Sequence, residues 1–245
     1  MGAISIDPLK NRAFVHTDEC VECYACFRGM SMEKLNPSLV RAIRRVLKAF
    51  RLRFDPEPDV CPTSAITPDD LAWPRVVRRA FSDPIVTHES TGVHGRGTEE
   101  VKTNDVTNRV GIGEVGYVVE FGRPTVGVRF RDIEKMTQAL AAMGIDFEPK
   151  NPITHLMAYK KSGKLRDDIL NEKILSAIVE FKIRIEDVPQ VLRRVEEVSK
   201  TLDTVIAVGV STRCGEDGSS ALDALLAEEG FAFNRGKTNL GLGRE

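Results

Sequence analysis

The chain has no surplus of charge of either sign: 35 Lys and Arg stand against 36 Asp and Glu, a formal net charge of −1. That balance excludes a strongly basic nucleic-acid binder and an acidic tail at the level of the whole chain. No basic helix-turn-helix pattern is evident either. No uninterrupted apolar run approaches the ~18 residues that a membrane span needs. The opening Met1-Gly-Ala-Ile-Ser-Ile-Asp7 lacks the charged-then-apolar pattern of a signal peptide. Cysteine is scarce, five in 245 residues. Four of the five stand at metal-ligand spacing, which argues against a disulfide framework. These absences predict a soluble, reduced, cytoplasmic protein of one large or two small domains, long enough to bury a core.

The organising stretch is Cys20-Val-Glu-Cys23-Tyr-Ala-Cys26, followed 35 residues later by Cys61-Pro62. Three cysteines at this spacing wrap a tight loop whose sulfurs can converge, and a cubane iron–sulfur cluster needs that triplet plus a fourth thiolate from elsewhere. Pro62 fixes the chain's path as it leaves Cys61, and Ala65 and Ile66 can pack beneath. A zinc site of four thiolates is the alternative, although zinc sites usually come as two separate knuckles.

Over residues 1–70 this pattern resembles the bacterial ferredoxins. It lacks the second triplet of two-cluster members and is similar to the single-cluster ones, where a longer insert separates the third ligand from the Cys-Pro. The resemblance implies one 4Fe-4S cluster on Cys20, Cys23, Cys26 and Cys61, suited to an anaerobic setting. The short strand Ala13–His16 would feed the loop, with His16 a strand-face residue.

Within the insert, Leu39, Ile43, Val46, Leu47 and Phe50 recur at helical spacing after the start signal Asn36-Pro37-Ser38. Arg41, Arg44, Arg45, Lys48 and Arg51 fill the other face. Small ferredoxins are usually acidic, whereas residues 1–86 carry 13 Lys and Arg against 11 Asp and Glu. The basic face reads either as a solvated surface or as a surface that steers an acidic electron donor, ferredoxin or flavodoxin-like, to the cluster. A short basic helix, Arg75 to Phe81, precedes a boundary near residue 86.

Residues 87–113 show neither helical nor strand periodicity, and read either as a substrate or cofactor loop or as an interdomain linker. They hold His88, His94, Glu99 and Glu100, candidate proton donors. Arg96, Lys102, Asn104 and Asp105, with Arg123, Arg129 and Arg131, are candidates for binding a small anionic substrate. Residues 88–150 are similar to ferredoxin-domain proteins of the 6-hydroxynicotinate reductase type. That resemblance implies low-potential reduction of an N-heterocycle, with flavin as a further cofactor. Gly111-Ile-Gly113-Glu-Val-Gly116 fits a dinucleotide fingerprint, but the strand-like Tyr117–Phe121 follows where a helix is required. Gly236-Lys-Thr238 is an incomplete P-loop.

From 114 to 245 strands and helices alternate. Strands are predicted at Glu114–Phe121, Gly127–Phe130, Pro152–Tyr159, Leu175–Ile185, Val205–Ser211 (near-continuously apolar, hence buried) and the edge Phe231–Asn234. Helices are predicted at Ile133–Met143, Val188–Leu202 and, capped by Ser219-Ser220, Ala221–Glu229. Val119-Glu-Phe121 and Val179-Glu-Phe181 hint at internal duplication. Cys214 reads as a free structural thiol, and the Gly-rich basic tail from Asn234 as a frayed end or an anion-binding loop.

The predicted fold class is α+β: an N-terminal ferredoxin-type module (1–86), a polar loop or linker (87–113) and an α/β-sandwich of ferredoxin-like kind (114–245). Three functions compete. One is a reductase or reductase component. Another is an electron-transfer subunit docking a separate catalytic chain. The third is a non-enzymatic redox or metabolite sensor.

Overall fold

The computed structural model describes residues 2–28, 37–52, 70–86, 109–123 and 126–236. At the N-terminus β1 (Ile4–Asp7) and β2 (Arg12–Val15) form an antiparallel hairpin with Ile4 opposite Val15. Asp7 closes the turn, its carboxylate accepting from the backbone N–H groups of Leu9 (2.9 Å) and Lys10 (3.2 Å). His16 follows β2, its Nε2 2.7 Å from Ser5 Oγ, which fits the strand-face reading. Three helices come next: α1 (Ala25–Arg28), α2 (Pro37–Ala49) and α3 (Val76–Ser82).

The rest of the chain is built round a three-stranded antiparallel sheet in the order β8-β3-β9, where β3 is Glu114–Phe121, β8 Ala177–Arg184 and β9 Ile206–Thr212. Both outer strands run antiparallel to β3, so they are parallel to each other and joined by a helix that crosses the sheet. Strand alternation makes one face of β3 from Val115, Tyr117, Val119 and Phe121, all fully buried. Tyr117 stacks on Phe181 of β8 at 4.8 Å between ring centroids.

Two helices cover that face. In α4 (Phe130–Ala141) the residues Phe130, Ile133, Met136 and Leu140 fall at helical spacing and are fully buried. In α6 (Val188–Ser199) the buried stripe is Val188, Val191, Val195 and Val198. Between β3 and β8 come β4 (Val128–Arg129), α5 (Pro152–His155), β5 (Met157–Tyr159), β6 (Lys164–Leu165) and β7 (Lys173–Ile174). β4 pairs with β7 and β5 with β6. Gly163, at φ 67°, sits so close to α4 that a Cβ would lie 2.2 Å from the Thr137 carbonyl oxygen. The last helix, α7 (Ala221–Glu228), is capped by Ser220, whose hydroxyl accepts from the Asp223 N–H as predicted.

Val77 and Phe81 of α3 belong to this same core, Phe81 meeting Phe130 edge-on at 5.5 Å. The helix is thereby fixed to the α/β unit although it precedes β3 by more than 30 residues.

Several predicted elements differ. Pro152–Tyr159 is not one strand: Asn151 caps a helical turn by accepting from the Ile153 N–H (2.9 Å), and strand resumes only at Met157. Gly127–Phe130 keeps two strand residues before α4 takes over at Phe130. Phe231–Asn234 has no regular structure. Val205–Ser211 does form a strand, but none of its residues is fully buried. β9 has β3 as its only partner among the described residues, and Val208 is 40% exposed.

The Tyr117 hydroxyl is buried without a hydrogen-bond partner among the described residues, and burial pushes its pKa well above the usual phenol value. An unpaired buried donor costs about 1–3 kcal/mol. Tyr117→Phe is therefore expected to hold stability or raise it by about 1 kcal/mol in urea unfolding. A loss larger than that would mean the hydroxyl has a partner.

Candidate functional site

The cysteine loop is shaped by two residues that ordinarily avoid its conformation. Glu22 and Tyr24 both sit at φ 57°, the left-handed region where a non-glycine residue costs on the order of 1–3 kcal/mol. Such a loop persists only if its surroundings hold it. Three arginines at i, i+3 and i+4 on the α3 segment do so.

Arg75 donates to the Glu22 carboxylate, at 3.0 Å from Nε, and the guanidinium of Arg79 lies 4.4 Å from the centre of the Tyr24 ring. Arg78 is 5% exposed. Its Nη1 donates to the backbone carbonyls of Thr17 (2.9 Å), Asp18 (3.3 Å) and Cys20 (2.7 Å), while Nε pairs with Glu172. One buried guanidinium thus ties the start of the loop to the segment preceding β7. Glu19 adds a second tie, accepting from Arg129 Nη2 at 2.8 Å and from Lys173. At its C-terminal end α3 is held again, Ser82 Oγ accepting from the Leu175 N–H at 2.9 Å.

Within the loop Val21 and Tyr24 are buried and Cys20, Cys23 and Cys26 half-buried. Burial pushes the Cys20 thiol up, and the nearby Glu22 carboxylate adds to the shift. Among the described residues no group of three or more His, Cys, Asp and Glu side chains is gathered so as to hold a metal ion. Cys61 lies outside the described residues. The donor set is three half-buried thiols on one loop braced by arginines that are themselves paired with acids, thiols being the ligand type a multi-iron centre would take.

Beside the loop, Trp73 Nε1 donates to Asp168 at 2.6 Å and Arg166 stacks over the indole at 4.4 Å. The Arg166 and indole hydrogen bonds hold the Asp168 carboxyl down at about 2.

The predicted substrate arginines are divided among different contacts. Arg123 pairs with Glu120 (3.1 Å), Arg129 belongs to the Glu19 tie, and Arg131 is exposed. His88, His94, Arg96, Glu99, Glu100, Lys102, Asn104 and Asp105 lie outside the described residues. Cys214 is exposed in the loop after β9.

Two further features were not singled out from sequence. The first is the bracing role of the α3 arginines: the sequence marks a short basic helix there, and the i, i+3, i+4 spacing of Arg75, Arg78 and Arg79 is the signal for a shared face. The second is a pair of carboxylates on the sheet face opposite the main core. Glu180 is 3% exposed and accepts from Asn151 Nδ2 at 3.0 Å. Glu120 stands opposite Ile178 and Glu180 opposite Val118, making the two acids diagonal neighbours, about 7–8 Å apart at Cα. Their signal is the repeated Val-Glu-Phe. Two shallow concavities, about 430 and 300 Å³, lie elsewhere. One runs between α4 and α6 beside Lys135 and Arg194, the other beside Asp146, Lys182 and Gln190.

Comparison with known proteins finds no matching family model, no similar curated protein and no similar solved structure.

Arg78→Met is expected to cost about 3 kcal/mol by removing the partner of half-buried Glu172 and of three loop carbonyls, and to speed proteolysis within residues 17–28. Combining it with Glu172→Gln should restore stability in part but not the protection of the loop. Unchanged cleavage in Arg78→Met would show that the arginine does not brace it.

The Glu19 tie is also pH-dependent. The Lys173 hydrogen bond, opposed by partial burial and aided by Arg129, lowers the Glu19 carboxyl below its ordinary 4.5. Its stabilisation is thus present above 4.5 and lost as pH falls through the lowered value. Pepsin cleavage of the loop should accelerate only below 4.5, and Lys173→Met should move that onset upward.

Proposed function

We propose that the chain is an iron–sulfur redox protein, a reductase or reductase component acting on a small anionic substrate, with N-heterocyclic acids the first class to screen. The observation that carries this reading is the thiol loop itself: Cys20, Cys23 and Cys26 on strained backbone that arginines brace from outside. Cys20, Cys23, Cys26 and Cys61 would hold a 4Fe-4S cluster, which when bound supplies one-electron transfer at a potential set by hydrogen bonding and burial. The chain's own residues prepare that place. Arg75, Arg78, Arg79, Arg129 and Lys173 brace the loop while pairing with Glu22, Glu172, Asp83 and Glu19, so most of their charge is offset locally. Val21 and Tyr24 exclude water from its inner side.

On this reading His88, His94, Glu99 and Glu100 are the candidate proton donors. Arg96, Lys102, Asn104, Asp105 and Arg123 would hold the substrate's anionic group, and flavin would be the second cofactor. The exposed Arg45 and Lys48 of α2 would meet an acidic ferredoxin or flavodoxin-like donor. The α/β unit is read as a ferredoxin-like sandwich, a class in which a helix-linked strand pair straddles a third strand. β8, α6 and β9 around β3 have that arrangement, and the lone Phe147–Phe181 bridge stands where a fourth strand would pair.

A second reading, the electron-transfer subunit, is favoured by the apolar side chains exposed on the hairpin and on α2 and its C-terminal end, among them Ile6, Leu9, Phe14, Val46 and Phe50. Large apolar side chains exposed on these elements would suit a protein partner. A sensor would instead change ligand affinity with cluster state and show no turnover.

Anaerobic purification with iron, sulfide and released-flavin analysis tests the proposal. About four irons and four sulfides per chain are expected, with Cys23→Ser and Cys61→Ser each losing most of both. Flavin alongside favours the complete reductase, and its absence favours the subunit. Zinc in place of iron would sink the redox reading. If the cluster is present, Arg45→Glu with Lys48→Glu should flatten the salt dependence of electron delivery.

A further inference from the structure

We propose that α2 docks the protein on an anionic phospholipid surface, lying in the membrane interface with its apolar face toward the acyl chains. The inference goes beyond the redox reading and does not rest on it. Residues 35–54 carry six Lys and Arg and no Asp or Glu, in a chain whose net charge is −1. α2 occupies thirteen of those positions.

Charge and apolar surface are sorted round this helix. At 3.6 residues per turn Leu39, Val46 and Phe50 fall within about 40° of one another, with Ile43 beside them. Lys48 stands about 180°, and Arg45 about 120°, round the helix from Leu39. The centre of the apolar arc is the part that the fold leaves open. Phe50 is 71% and Val46 59% exposed, and Leu39 is exposed as well. Ile43 and Leu47, to one side of that centre, are half-buried. Arg45, Lys48 and Arg51 are exposed too.

The end of the helix serves the same face. Arg51 stands at φ 58°, and its N–H donates to the Lys48 carbonyl at 3.1 Å. The Leu52 N–H donates to the Leu47 carbonyl at 3.0 Å. Such a closure brings the residue after the left-handed one back to the side of the helix where Leu47 stands. Leu52, itself exposed, thereby lengthens the apolar arc.

The occupant follows from both arcs being open at once. An acidic protein met by Arg45 and Lys48 would leave Leu39, Val46 and Phe50 in water. A protein seated on the apolar arc would leave Lys48 on the far side of the helix. A lipid interface takes both, with the apolar side chains among acyl chains and the cations, on long flexible stems, among phosphates. A helix of this pattern lies on a membrane and does not cross it. No helix among the described residues is long and apolar enough to cross one.

The test is flotation of the full chain with vesicles of phosphatidylcholine and phosphatidylglycerol in equal parts, and with vesicles of phosphatidylcholine alone. Binding to the first and far less to the second is expected, weakening as salt is raised. Arg45→Glu with Lys48→Glu should weaken it more than about tenfold. Val46→Ser with Phe50→Ser should also weaken it more than about tenfold, through lost apolar contact. Both positions are exposed, so circular dichroism should show the fold unchanged. Phe50→Trp should shift its emission to the blue on the anionic vesicles, read against the native chain, whose one tryptophan is Trp73.

No binding to the anionic vesicles would overturn the proposal. Binding that the serine pair leaves unchanged, or a Phe50→Trp emission that does not move, would overturn it too, because the helix would then not enter the interface. If no vesicle binds and the serine pair instead abolishes binding of an acidic ferredoxin, α2 belongs to a protein partner and the proposal falls. None of these results bears on the cluster, which iron and sulfide content reads separately.

Discussion

Everything near the cysteines depends on one short helix having two jobs on two faces. α3 has only seven residues, too few to be stable in isolation. It exists because Val77 and Phe81 are buried in the α/β core, which leaves the Arg75, Arg78 and Arg79 side directed at the loop. The loop in turn could not hold left-handed Glu22 and Tyr24 unaided, since each costs on the order of 1–3 kcal/mol. The order of dependence runs from core to helix, from helix to arginines, and from arginines to the backbone that carries the thiols. A cavity at Phe81 would be felt at Cys20 without any change in the loop's own sequence.

Parts of this were legible in the sequence, for reasons that differ from element to element. Glu114–Phe121 was legible to the residue because Val115, Tyr117, Val119 and Phe121 alternate along one apolar face and glycine stands at each end. The amphipathic α2 and the valine stripe of α6 followed from helical spacing. The apolar run of β9 was equally visible, but such a run reports only that a strand prefers burial, not whether the sheet supplies a second neighbour. Pro152–Tyr159 was misread because Asn151-Pro152 is a helix start, and its local capping outweighs the apolar residues that follow. The loop bracing was hidden for another reason. Arg78 to Glu172, Arg129 to Glu19 and Lys173 to Glu19 span 94, 110 and 154 residues, and no local pattern marks such pairs. The three cysteines were plain from spacing alone, while what steadies them was not.

Under the proposed cluster reading, the cost of the charges around the loop has a purpose beyond folding. Burying Arg78 carries a desolvation penalty that well-packed apolar residues of similar size would avoid. A fold that needed only to attach an N-terminal segment would do so more cheaply with apolar contacts such as Val21 already makes. Here the guanidinium instead satisfies the carbonyls of Thr17, Asp18 and Cys20 and one carboxylate. Its donors fix backbone direction, which apolar packing cannot do. Fixing backbone direction matters most where side chains must hold set positions around a common centre. That is the demand a thiolate-ligated group makes, and it places the arginines of α3 alongside the cysteines as residues on which such a site would depend.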